Sequence, residues 1–255
     1  GTFRNAGLMN TLLSQGVAMN GVIMVSAVFD LRTLLFPPND DLPYIVHFPT
    51  YAATAWYHNK IDDKPENVYE FLETVRSFTE NEYTPALFKG DRLPENEKAN
   101  IASKLAYYTG TETNYWLKAD LRVTASEFFA EFLRDKGEIV GRLDSRFTGI
   151  NEDLLSQEGS HDPQSSAISP AYISGFLDYF YGDLKVNKNL LYSITAGRRD
   201  GFKWDWSHKG NERWGASAAI NTGIDMATAL SRDPNMKDII NEKVKHRQWY
   251  RPFAP

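Results

Sequence analysis

Gly21-Val22-Ile23-Met24-Val25-Ser26-Ala27-Val28-Phe29 is the stretch on which the reading of the fold turns. It is short, apolar and rich in Val and Ile, with no polar alternation, a pattern that predicts a strand buried on both faces of a parallel sheet. Just before it, residues 2–16 place Phe3, Leu8, Leu12 and Leu13 at helical intervals and close on Gly16, a residue type that tolerates the left-handed conformation after a helix. Helix followed by buried strand is half of an α/β unit. Asp30 stands just past the strand, where ligands bind in open α/β sheets. A turn carboxylate that caps the next segment is the commoner reason for an Asp there. The apolar run falls far short of the roughly 20 residues that a membrane helix needs.

Around that stretch the composition is that of a globular chain. With 42% hydrophobic residues in 255 there is enough apolar side chain for a sizeable core, which excludes disordered and low-complexity classes. Lys plus Arg number 28 against 33 Asp plus Glu, a formal charge of −5, so no large positive field is available and nucleic acid is not an expected partner. The absence of cysteine removes a disulfide scaffold, a thiolate metal site and a cysteine nucleophile together. His47, His58, His161, His208 and His246 show no pair spaced i, i+4 around a Glu, and no Gly-rich loop leads from a strand into a helix. No metal and no cofactor is expected.

From Leu31 to about Trp214 the pattern changes to aromatic-rich amphipathic helices with Pro, Asp and Gly between them. Pro65-Glu66 opens one that carries Phe71, Leu72, Val75 and Phe78, and Pro94-Glu95 opens another with Ile101, Leu105 and Tyr108. Further helices carry Leu117 and Leu121, then Phe128, Phe129, Phe132 and Leu133, then Tyr172, Ile173, Phe176, Leu177 and Phe180. Such helices need one another to bury their faces. Glu138 to Phe147 reads as extended and ends in Thr148-Gly149, while Asn151 to Ser169 is polar and reads as a surface loop. Leu190 to Ile194 reads as a short strand, and Gly215 to Leu230 as a helix with a small-residue face. The segment from Asp238 to Pro255 gathers Lys243, Lys245, His246 and Arg247 with no apolar strand and reads as a divergent tail.

Two internal constellations bear on chemistry. Trp204, Trp206 and Trp214 offer rings for sugar stacking beside Asp200 and Asp205, the pair of carboxylates that a glycosidase uses, although a packed aromatic cluster explains the same residues. Gly215-Ala216-Ser217-Ala218-Ala219 is the nearest approach to Gly-x-Ser-x-Gly, but it lacks the last glycine and no apolar strand runs into it. Ser217 therefore reads as a packing or helix-start residue.

The opening Gly1-Thr2-Phe3-Arg4 at the head of a helix, then a buried strand ending in Asp30, resembles the sequence that follows the nucleophile elbow of the serine carboxypeptidase family. That elbow reads Gly-Glu-Ser-Tyr-Gly, and Gly1 takes the place of its last glycine. Gly141-Arg142-Leu143-Asp144-Ser145-Arg146-Phe147-Thr148-Gly149 is similar to a signature of the bacterial branch, as are the Asp162-Pro163 loop and Ala227 to Pro234. The resemblance implies an α/β-hydrolase fold whose helical cap interrupts the sheet before the strand that bears the catalytic Asp. In such an enzyme Ser attacks the C-terminal peptide bond, His carries the proton, Asp orients His and backbone N–H groups hold the oxyanion.

Carried over residue by residue, the resemblance puts the Ser two positions before Gly1, and the Asp and His past the point where Asp238-Ile239-Ile240-Asn241-Glu242-Lys243 departs from the family pattern. Gly1, as part of the elbow, is then the site residue of this chain, with no catalytic residue inside it. His246 does not replace the missing His. The expectation is an α/β chain: a partial α/β-hydrolase core at 1–30, a large, mainly helical cap at 31–214, and a core helix with a divergent tail at 215–255. It is expected to be an internal fragment, inactive alone, of a serine-type carboxypeptidase acting on peptides with a free C-terminus. A secreted or periplasmic location follows from the family alone. Arg142, Asp144, Arg146 and Trp206 are placed to line a cleft, with a structural Arg–Asp pair as the plainer reading. The alternative is a non-catalytic protein of the same descent that holds a peptide or a sugar.

Overall fold

The computed structural model describes residues 2–23, 33–34, 36 and 38–189. They fall in two compact units, 2–23 with 33–34 in one, and 36 with 38–189 in the other. Asp30, Asp200, Asp205, Trp204, Trp206, Trp214, Ser217, His208, His246, Gly1 and the segments at 190–194, 215–230 and 238–255 lie outside the described residues. The described part is helix-rich, with one two-stranded sheet.

In the first unit α1 spans Thr2–Ser14, and Gly16 follows it at φ +80, the left-handed position that its sequence predicts. Gly16 N–H bonds to the Leu13 carbonyl at 3.0 Å. Among the residues of α1 whose burial is described, Met9 is buried, whereas Leu8 and Leu13, expected on the apolar face, are exposed. Residues 21–23, the described start of the expected strand, are irregular and exposed, Ile23 at 91%. No strand stands in the described part of this unit, and residues 24–29 of the expected strand lie outside the described residues.

The second unit is built around α2, Leu42–Tyr57, a helix that the pattern of aromatic segments did not single out. Pro43 fits its first turn, where a missing N–H costs nothing, and Pro49 is carried inside it. α3 (Val68–Phe78) starts at the Asn67 cap rather than at Pro65, because the Asn67 side chain accepts the Tyr69 N–H at 2.9 Å. A π turn at Thr79–Tyr83 joins α3 to α4, Thr84–Lys89. Pro85, which has no N–H to give, falls in the first turn of α4, and a widened turn accommodates it without ending the helical course. α5 is Glu95–Thr109, opened by Pro94 as its sequence predicts. α6 is Thr113–Lys118 and stops short of Leu121, which stands in the left-handed region at φ 64. α7 is Ala125–Glu131, entered through a capping box of Thr124 and Glu127.

Phe48 of α2 is the centre of the core, fully buried, with its ring centroid 5.5 to 6.3 Å from those of Phe78, Tyr83, Tyr108 and Trp116. One turn on, Tyr51 stacks on Phe128 at 4.2 Å. Gly110 closes α5 at φ +61, and a Cβ there would collide with the Lys60 carbonyl oxygen, so the chain needs glycine twice over. After α7, β1 (Glu138–Val140) pairs antiparallel with β2 (Thr148–Ile150), in the register Glu138↔Ile150, Ile139↔Gly149 and Val140↔Thr148. The extended segment of the sequence is thus a hairpin. α8, Pro163–Leu177, begins inside the stretch expected to be loop, because Asp162 and Pro163 form a cap and first turn.

Candidate functional site

The bend of the hairpin, residues 141–147, gathers Arg142, Asp144 and Arg146, the charged residues of this segment that sequence pointed to. Gly141 N–H bonds to the Phe147 carbonyl at 2.8 Å, and a Cβ on Gly141 would strike the Asp144 carbonyl oxygen, so the bend closes only over glycine. Arg146 lies across Asp144, with Nε to Oδ1 at 2.9 Å and Nη2 to Oδ2 at 2.6 Å. This fork holds the Asp144 carboxyl below the usual carboxylate range. Ser145, between them, faces α2: its hydroxyl is 2.8 Å from Thr54 Oγ1, and its carbonyl oxygen accepts from His58 Nε2 at 2.7 Å. A carbonyl cannot donate, so His58 carries its proton on Nε2.

From the other side Asp162 closes the bend. Its Oδ1 accepts the Arg142 N–H at 3.1 Å and the Gln164 N–H at 3.2 Å, while Oδ2 accepts the Ser165 hydroxyl at 3.0 Å. A single carboxylate thus caps α8 and fastens it to the hairpin. Gly149 is crossed closely by the same segment, since a Cβ there would come within 3.0 Å of His161 Nε2 and 3.1 Å of Pro163. The Asp144–Arg146 pair is structural. Arg142 differs: it is exposed, and among the described residues its guanidinium has no hydrogen bond or ion pair.

A second polar region was not foreseen. Arg122 forks onto Asp41 at 2.7 and 3.1 Å and also donates to the Leu87 carbonyl at 3.2 Å, tying the start of α2 to the end of α4. Beneath it the Tyr83 hydroxyl donates to the Leu121 carbonyl at 2.7 Å and the Tyr51 hydroxyl to the Val123 carbonyl at 3.4 Å. Burial raises the pKa of both phenols, so they stay neutral donors. These bonds hold Asp120 and Leu121 at positive φ. They join residues 35 to 81 apart in sequence, a separation at which no local signal exists. A shallow cleft of about 170 Å³ opens beside this turn, lined by Leu87, Gly90, Leu93, Lys98, Asp120 and Arg122. Lys98 is paired with Asp120 at 2.5 Å and Arg122 with Asp41, and the volume is below the roughly 300 Å³ at which ligand pockets begin. The region is a brace.

His47, His58 and His161 do not converge with other ligating side chains, and among the described residues no group of His, Asp and Glu is arranged to hold a metal ion. No described helix is long and apolar enough to cross a membrane. No protein family, curated protein or solved structure matches the chain.

Proposed function

We propose that the chain belongs to a serine carboxypeptidase-like hydrolase and that its helical unit is the cap of that enzyme. The observation that carries this reading is the 141–149 segment. The residues that resemble the bacterial signature have separate jobs in one bend: Gly141 for close approach, Asp144 and Arg146 as a fork, Ser145 as the tie to α2. Asp162, in the second resembling segment, closes on the same bend. A helical unit with a core of its own also suits a cap. Under this proposal the triad is Ser, His and Asp, with Gly1 in the place of the last glycine of the elbow, and no residue of this chain is assigned a catalytic role.

A second reading, a non-catalytic peptide binder of the same descent, is favoured by Arg142, whose free guanidinium suits a bidentate carboxylate. Two measurements on the full chain separate the readings. Intact mass after a fluorophosphonate probe is expected to show no adduct on this chain and one adduct on the product of its complete open reading frame. An adduct at Ser217, or none on either protein, would overturn the first reading. Titration with a peptide carrying a free C-terminus, and with its C-terminal amide, tests the second. Binding that needs the carboxylate and is lost in Arg142→Gln supports it, and equal affinity for both peptides contradicts it.

A further inference from the structure

Asn20-Gly21 is the one Asn-Gly pair in the sequence, and it falls in the irregular segment that follows α1. Both residues are exposed, and a Cβ built on Gly21 would meet nothing within 4 Å. Neither Asn20 nor Gly21 has a hydrogen-bond partner among the described residues. We propose that Asn20 is a site of spontaneous covalent modification, in which its side-chain amide is converted to aspartate and isoaspartate through a succinimide shared with the Gly21 nitrogen.

The chemistry needs only water and a base from solvent. Base removes the Gly21 N–H proton, and the amide nitrogen attacks Asn20 Cγ. The N–Cγ bond forms, the Cγ–Nδ2 bond breaks, and Nδ2 leaves with a proton as ammonia. Water then opens the ring. Addition at Cγ restores the original backbone and gives aspartate. Addition at the Asn20 main-chain carbonyl carbon breaks the bond to the Gly21 nitrogen and leaves the chain running through the side chain as isoaspartate. No electron is transferred, and each event adds one negative charge to a chain whose formal charge is −5.

Ring closure requires the following nitrogen to swing onto Cγ, which glycine permits and a β-carbon obstructs. It also requires an amide free of other bonds. Competing asparagines fail on one count or both. Asn67 Oδ1 accepts the Tyr69 N–H, Asn59 Oδ1 accepts from Lys64 Nζ at 2.7 Å, and Asn81 Nδ2 donates to the Ser77 carbonyl at 2.8 Å. Each is followed by a residue with a side chain, namely Val68, Lys60 and Glu82. Asn5 and Asn10 lie within α1, whose backbone holds the next nitrogen away from Cγ.

Trypsin releases residues 5–32 as one peptide, which carries Asn5, Asn10 and Asn20 together and supplies its own controls. The intact chain is aged in mildly alkaline buffer, the peptide is sequenced by mass spectrometry, and isoaspartate is counted by enzymatic carboxyl methylation. Asn20 is expected to convert at least about tenfold faster than Asn5 or Asn10, and Gly21→Ala to slow it by a similar factor, because only the β-carbon has changed. Asn20→Gln should reduce the methylatable product from this peptide to the low level supplied by Asn5 and Asn10. The proposal is overturned if Asn20 converts no faster than its two neighbours, or if Gly21→Ala converts at the parental rate.

Discussion

α2 and α8 are nearly the same length, both are apolar, and both carry a proline in their interior, yet one is the heart of the core and the other lies largely in solvent. α2 buries Phe48, Tyr51, Ala52 and Ala55 against α3, α5 and α7, whereas Pro163 is the only buried residue of α8, and Tyr172 is 74% exposed. Apolar content alone therefore does not decide burial. What decides it here is the supply of rings on neighbouring elements: Phe78, Tyr83, Tyr108, Trp116 and Phe128 surround α2. Beyond its own continuation, the main described contacts of α8 are with the hairpin.

That contrast is broken most severely by Phe48→Ala, which empties the centre of the core. A loss of about 3–5 kcal/mol in unfolding free energy is expected, read by urea denaturation. Gly110→Ala comes next. Its positive φ and the Lys60 carbonyl leave no room for a methyl group, so a loss of roughly 1–3 kcal/mol is expected in the same assay. Asp162→Ala removes the cap of α8 and its tie to Arg142 together, at a cost of about 1 kcal/mol, and amide exchange in the first turn of α8 should quicken before any effect appears in α2.

The hairpin fork sharpens the comparison further. Asp144 is depressed in the folded protein by Arg146, so its contribution is complete above the ordinary Asp pKa of about 3.9 and is lost as pH falls through the lower folded value. Mild acid should loosen the 141–147 bend in the parent, followed by the Arg146 Nε resonance. Asp144→Asn should remove that dependence, at a cost within the range of about 0–1 kcal/mol of a surface ion pair. Smallest of all is Tyr172→Ala on α8, expected to stay within about 0.5 kcal/mol of the parent.

Much of the helical unit was legible because its signals are local. Pro94 before Glu95 and the alternation from Glu138 each act within a few residues. α2 escaped because its aromatics run around the helix and two prolines interrupt its pattern, while its burial depends on rings from five other elements. The start of α8 was hidden by the polar residues Gln164, Ser165 and Ser166, although Asp162-Pro163 carried the cap signal. At the candidate site a structural Arg–Asp pair was foreseen, but which of Arg142 and Arg146 would hold Asp144 was not. The hold of His58 and Thr54 on Ser145 was not, for those partners are 87 and 91 residues away. Nor could spacing reveal that, of the charged side chains in the bend, Arg142's alone has no hydrogen bond or ion pair among the described residues.

Hydrogen exchange of the full chain, followed by mass spectrometry across residues 42–177, tests most directly the claim that the helical unit is organised around α2. Amides of α2 and α5 should be the slowest of the described helices, opening only with the whole unit, while those of α8 should exchange orders of magnitude sooner. Protection of α8 equal to that of α2 would contradict the account.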